Sequence, residues 1–122
     1  MDTPSFLAVA SGGAAGAVAR WQMGLALTRG LGWDAAWATC GVNVAGAFAL
    51  GLAAALLAAR QGALPLLVTV GFLGAFTTFS TFAMDAAGLA ARSWGLAAAY
   101  LCASVSLALL AFLGGAALGR AL

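Results

Sequence analysis

What most constrains this chain is how rarely charge interrupts it. Only 7 % of its 122 residues are charged and 65 % are apolar. Soluble domains carry about 25 % charge. A chain this poor in charge cannot cover a water-facing surface, so nearly all of it belongs in lipid, where a spanning helix needs about 20 largely apolar residues. Reading from charge to charge gives four such segments. The first covers about 5–28 and contains Arg20. The second, 35–59, has no charge. The third, 63–91, has Asp85 alone, and the fourth, 94–119, has none. Arg29 to Asp34, Arg60 to Gly62 and Arg92-Ser93 punctuate them. The expectation is one all-α transmembrane domain over 1–122, with no extramembrane domain. Trp33, Trp37 and Trp94 lie near span ends, where interfacial aromatics belong.

The residues that are missing narrow the chemistry. There is no His, Lys or Glu. Imidazole bases, the usual zinc and haem ligands, Schiff bases and carboxylate pairs are therefore excluded or stripped of their players. An enzyme is not expected. Cys40 and Cys102 fall in apolar stretches and read as small buried hydrophobes. A net charge of +2 is too small for a nucleic-acid footprint. Asp2 stands where a cleavable signal would carry a positive charge, so no signal is expected.

Orientation follows from arginine. With four spans, Arg60 and Arg120 share one side, and Arg29 and Arg92 the other. Arg20 tips the count by one. The positive-inside rule needs an excess, and here it is almost absent. Insertion both ways, and with it an antiparallel homodimer, is as well supported as a topology fixed by one Arg.

Polar residues inside spans face packed protein or an aqueous path, because lipid penalises them. Thr39 and Asn43 sit one turn apart on the second span, where Asn43 could serve as interhelical glue. Gly71-Phe72-Leu73-Gly74-Ala75-Phe76-Thr77-Thr78-Phe79-Ser80-Thr81-Phe82 is the densest cluster. Paired glycines followed by Thr-Thr weaken a regular helix, which predicts a break near 74–78. A break at membrane depth strands carbonyls and N–H groups at several kcal/mol each, roughly. Bare carbonyls would suit a cation; N–H and hydroxyl groups would suit an anion. Phe72, Phe76, Phe79 and Phe82 would form one stripe on an unbroken helix. That stripe is either core packing or a set of positive ring edges facing an anion. Tyr100 and Ser104 add a short polar track on the fourth span. Gly12 and Gly16, and Gly41 with Ala45 and Ala49, predict close helix packing.

These motifs resemble the CrcB/Fluc family of small fluoride channels over the whole chain. Gly12 to Trp21 is similar to its first-helix signature. Thr39 to Gly46 is similar to its second-helix motif, and Gly71 to Phe82 to its most specific segment. The resemblance implies a fluoride-selective channel that passively exports cytoplasmic fluoride across the bacterial inner membrane. It implies a four-helix subunit, broken in its third helix and paired with an identical antiparallel subunit. Backbone carbonyls of Gly74 and Thr77 would hold a structural Na⁺ that is not transported. Asn43, Phe79, Phe82, Ser80, Thr81, Tyr100 and Ser104 would line the anion pore, with Arg20 at its vestibule. Asp85 stands where the family usually has Glu, and Ala108 is apolar where the polar track commonly continues. Two other readings compete. A four-helix multidrug or cation exporter would need a membrane-embedded Glu that is absent. A structural subunit of a membrane complex would leave the polar clusters without a purpose.

Overall fold

The structure is a computed structural model that describes residues 2–122, and these residues are almost entirely helical. The first helix, Thr3–Leu25, starts with Pro4 in its first turn, where a missing N–H costs nothing. It runs on into a π-helical turn, Ala26–Gly30. Gly32 then takes a φ of +69° to turn the chain. The second helix, Ala35–Leu56, is opened by Asp34, whose carboxylate accepts from the Ala36 N–H at 3.0 Å. It stops three residues short of the expected 59, in a turn closed by the Arg60 N–H on the Leu57 carbonyl at 2.9 Å. Gly62, with φ +93°, leads into the third run.

That run begins as a single α-turn, Ala63–Pro65, widens into a π-helix over Leu66–Leu73, and tightens again at Gly74–Phe76. The Thr69 hydroxyl donates to the Pro65 carbonyl at 2.8 Å within the widened stretch. The chain then leaves the helical path for two residues. Phe79–Arg92 resumes it. The last helix, Trp94–Ala121, is capped by Ser93, whose hydroxyl accepts from Leu96 N–H at 3.4 Å. Ala35–Leu56, Ala63–Arg92 and Trp94–Ala121 are each long and apolar enough to cross a membrane. Thr3–Leu25 has comparable length but a more polar composition that includes Arg20 and Gln22.

Packing is built on small residues. The second helix lies along the last, and the first lies along the π-helical stretch. At Gly51 an added Cβ would collide with the Phe112 carbonyl, and at Gly115 with the Phe48 carbonyl. The contact is reciprocal, backbone against backbone, and leaves no room for even a methyl group. Gly12 and Gly16 do the same against the backbone at Leu67 and Phe72. The predicted small-residue face of the first helix is thus used inside the subunit.

Few side chains are fully enclosed. The tightest cluster joins Ala36, Cys40, Phe82 and Tyr100. Cys40 is buried there, as read from the sequence, whereas Cys102 is exposed on the last helix. Many large apolar side chains point outward, among them Trp94, Leu110 and Val105. A single subunit in water would not tolerate so much exposed apolar area, which marks surfaces covered by lipid or protein.

Candidate functional site

The helix break is the centre of the site. Thr77 (φ −79°, ψ 157°) and Thr78 (φ −145°, ψ 120°) are both extended. The interruption lies inside the stretch expected from the two glycines and the Thr-Thr pair. Its geometry is set from a distance of 35 residues along the chain. The Thr78 N–H donates to Asn43 Oδ1 at 2.8 Å, and Asn43 Nδ2 donates to the Thr78 carbonyl at 3.0 Å. One amide side chain thereby replaces both ladder bonds of one peptide residue. The partners fix which way the Asn43 amide points, since a backbone N–H can only meet its oxygen. Gly46, one turn further along the same helix, leaves the space: an added Cβ would strike Thr77 Cγ2 and the Phe76 ring.

Thr78 is also the cap of the helix that follows. Its Oγ1 accepts from the Thr81 N–H at 3.2 Å and donates to Thr81 Oγ1 at 3.0 Å. Ser80 Oγ lies 3.4 Å from the same hydroxyl. On the other side, Thr77 sends both its N–H and its hydroxyl to the Leu73 carbonyl, each at 3.1 Å.

This wiring has a consequence for two carbonyls. In a continuous α-helix each carbonyl accepts from the N–H four residues on. The N–H that Gly74 would use, that of Thr78, is taken by Asn43. The N–H that Thr77 would use, that of Thr81, is taken by the Thr78 hydroxyl. The two carbonyls that the family resemblance implies as cation ligands have thus both lost their helical donors. Gly74 is also exposed in the single subunit. Bare carbonyl oxygens are hard ligands of the kind that replace a cation's hydration shell, so these residues fit such an ion.

Two open clefts meet at Thr78. The larger, about 380 Å³, is lined by Asn43, Thr77, Thr78, Phe79, Phe82 and Ser104, among others. The smaller, about 220 Å³, is lined by Arg20, Trp21, Thr28, Thr39, Thr78 and Thr81. The pore residues named from the sequence are therefore not gathered on one wall of one subunit. Asn43, Phe79, Phe82 and Ser104 share the first cleft; Arg20 and Thr81 share the second. Ser80 is exposed and lines neither. Tyr100 is fully enclosed, 0 % exposed, behind Phe82, with ring centroids 5.4 Å apart. Thr39 and Asn43 are a turn apart yet open onto different clefts, and the Thr39 hydroxyl bonds back to the Ala35 carbonyl at 3.1 Å.

The phenylalanines divide at the break. Phe72 and Phe76 stack before it at 6.1 Å, and Phe79 and Phe82 lean together after it at 5.6 Å. Two extended residues between the pairs interrupt the helical phase that a single continuous stripe would need. Phe82 is buried, whereas Phe79 is 80 % exposed, an unusual position for a phenyl ring beside a cleft.

Several polar atoms here are enclosed without a partner: Arg20 Nε, Asp85 Oδ2, Tyr100 Oη and Ser104 Oγ. Tyr100, Ser104 and Asp85 are neighbours. Groups like these are normally satisfied; Tyr100 Oη lies where it can pair with Ser104 or Asp85, while Arg20 belongs to the other cleft. Sequence reading missed Thr78 as the hub, although a hydroxyl three residues before Thr81 at a helix start is a capping signal. It also missed Gly46, whose role depends on what packs opposite.

A helical bundle whose apolar helices are long enough to cross a membrane, one of them interrupted by a hydrogen-bonded break beside two open clefts, is the architecture of a small membrane protein. The comparisons with known proteins agree. Residues 7–116 match the family described as CrcB-like protein, Camphor Resistance (CrcB), and the chain belongs to that family. It is 45 % identical over 118 residues to the "Fluoride-specific ion channel FluC" of Rhizobium etli (strain CIAT 652), covering 93 % of this chain and 94 % of that one. It is 48 % identical over 118 residues, with the same shares, to the protein of that name from Rhodospirillum centenum. The relative so named in Phenylobacterium zucineum is 43 % identical over 121 residues, 95 % of each chain.

Proposed function

We propose that this chain is a fluoride-selective channel that lets cytoplasmic fluoride leave the cell passively. The observation that carries the reading is the break itself: Asn43 clamps Thr78, one of two extended threonines, beside a cleft that presents Phe79, Phe82 and Ser104. Relatives named as fluoride channels across more than nine-tenths of the chain support it.

Fluoride is small and strongly hydrated, so a selective path must replace its water with good donors while still letting it leave. The cleft offers groups suited to that task. Asn43 has one amide N–H beyond the one given to Thr78. Ser104 Oγ has no partner. The Phe79 and Phe82 rings carry positive edges. No full positive charge lines this cleft to trap the anion, while Arg20 lines the neighbouring one and would draw anions towards the entrance. Ser80 and Thr81 complete the proposed pathway where the clefts of two subunits join, with Tyr100 behind the Phe82 ring. Export needs no nucleotide: HF enters as a neutral molecule, ionises inside, and a potential negative inside expels the anion at about 2.3 kcal/mol per 100 mV.

The assembly is an antiparallel homodimer of four-span subunits in the bacterial inner membrane. It is supported by the near-even arginines, by the open clefts, and by the outward-facing Phe79 and Gly74. The carbonyls of Gly74 and Thr77, two from each subunit, would hold one Na⁺. When bound, that ion neutralises the free carbonyl ends at the break and ties the subunits together.

Purified protein in liposomes tests the function. Fluoride should leave the vesicles far faster than from protein-free controls while chloride stays inside. Fluoride efflux equal to the controls, or equal release of chloride, would refute it.

A further inference from the structure

Asn43 makes two hydrogen bonds that no ion-donating role requires. Both go to one backbone residue, and one of them takes a donor away from another group. If the Thr78 N–H were not on Asn43 Oδ1, its natural acceptor would be the Gly74 carbonyl, four residues back. The 2.8 Å bond to Asn43 therefore holds the break open and leaves the Gly74 oxygen free. The remaining geometry agrees. Thr78 is extended and cannot return to the helical ladder while both its N–H and its carbonyl are held. Gly46 removes the side chain that would push Thr77 off the second helix. Asn43 also lines the cleft with Phe79 and Phe82, so one residue touches both the cleft and the wiring of the cation ligands.

We infer that Asn43 is a positioning residue for the cation site: its side-chain oxygen holds the Thr78 N–H and thereby keeps the Gly74 carbonyl available to Na⁺. This rests on the proposed Na⁺ site. It goes beyond an anion-donor role, because it assigns the two ends of the amide to different tasks. The oxygen serves the cation; the remaining N–H serves the cleft. Sites linked through one element are coupled, and the coupling is read as a shift in affinity.

The test uses the purified full chain in detergent and measures thermal stability as NaCl replaces N-methylglucamine chloride at constant ionic strength. A ligand that binds only the folded state raises the melting temperature with its concentration. The wild type should rise with Na⁺. Asn43→Ala should need about tenfold more Na⁺, or more, for the same rise. Asn43→Asp keeps the acceptor for the Thr78 N–H but turns the group that meets the Thr78 carbonyl from donor to acceptor, so it should need about threefold more Na⁺ than wild type and clearly less than Asn43→Ala. Its fluoride efflux should nonetheless fall, because the cleft has lost its amide N–H and gained a negative charge. The inference is overturned if the wild type shows no Na⁺-dependent rise, if Asn43→Ala keeps the wild-type Na⁺ response, or if Asn43→Asp loses that response as Asn43→Ala does. Should Asn43→Ala fail to fold, the Asn43→Asp response decides alone. Wild-type protein that passes no fluoride yet follows this Na⁺ pattern would sink the channel reading and leave the clamp standing.

Discussion

Gly51 and Gly115 bring two helices together backbone to backbone with no polar side chain between them, whereas Asn43 and Thr78 join the second helix to the break through hydrogen bonds. In the first region each glycine faces a backbone carbonyl, at Phe112 and at Phe48. The contact is specified by the absence of atoms. In the second, an amide side chain substitutes for helical hydrogen bonds at 2.8 and 3.0 Å. The difference is instructive because lipid is as apolar as leucine, so burial of apolar side chains does little to hold membrane helices together. Close packing must provide the frame, and polar groups can then be reserved for the place where the frame is deliberately opened.

The sharpest way to break the comparison is to fill the packed region. Gly115→Val should cost about 3 kcal/mol or more, because the neighbouring carbonyl cannot move aside as a side-chain tip can. The check is loss of a monodisperse peak in detergent chromatography. Next in size is the pair of rings after the break. Phe82→Ala, buried against Tyr100, should cost about 3 kcal/mol of stability. Phe79→Ala removes a ring that is 80 % exposed in the subunit, and should change subunit folding by about 0.5 kcal/mol or less. Thermal melts of the two variants in detergent separate these outcomes; equal losses would show that the two rings share one structural role.

Smaller effects probe the polar region. Thr78→Val removes the cap that holds the Thr81 N–H and should cost about 1 kcal/mol. Ser104→Ala should be near neutral or stabilising, since its buried hydroxyl has no partner in the subunit and its removal relieves a desolvated group. Fluoride efflux through Ser104→Ala should still decline, which distinguishes a group kept for the ion from one kept for the fold.

How much of this was legible in the sequence follows the same division. Charge spacing marked the helical segments, because the bilayer imposes a length that the chain must meet. The break was legible because Gly71, Gly74 and the Thr-Thr pair weaken a helix locally. What holds the break was not legible, since the Asn43–Thr78 bonds join residues 35 positions apart. The π-helical widening over Leu66–Leu73 left no signature either; it fits a backbone that packs directly on Gly12 and Gly16. The phenylalanine stripe was expected only on an unbroken helix, and the break removes that condition. Helical spacing counts residues as if the helix were continuous, and two extended residues reset the phase between Phe76 and Phe79.

The claim that ties these parts together is that the ion path runs past the exposed ring after the break. Fluoride efflux from liposomes bearing Phe79→Ala tests it most directly, with chromatography and thermal melting confirming a normally folded protein. The account predicts at least a tenfold loss of flux, roughly 1.4 kcal/mol or more in barrier height. A folded Phe79→Ala variant that releases fluoride at the wild-type rate would contradict it.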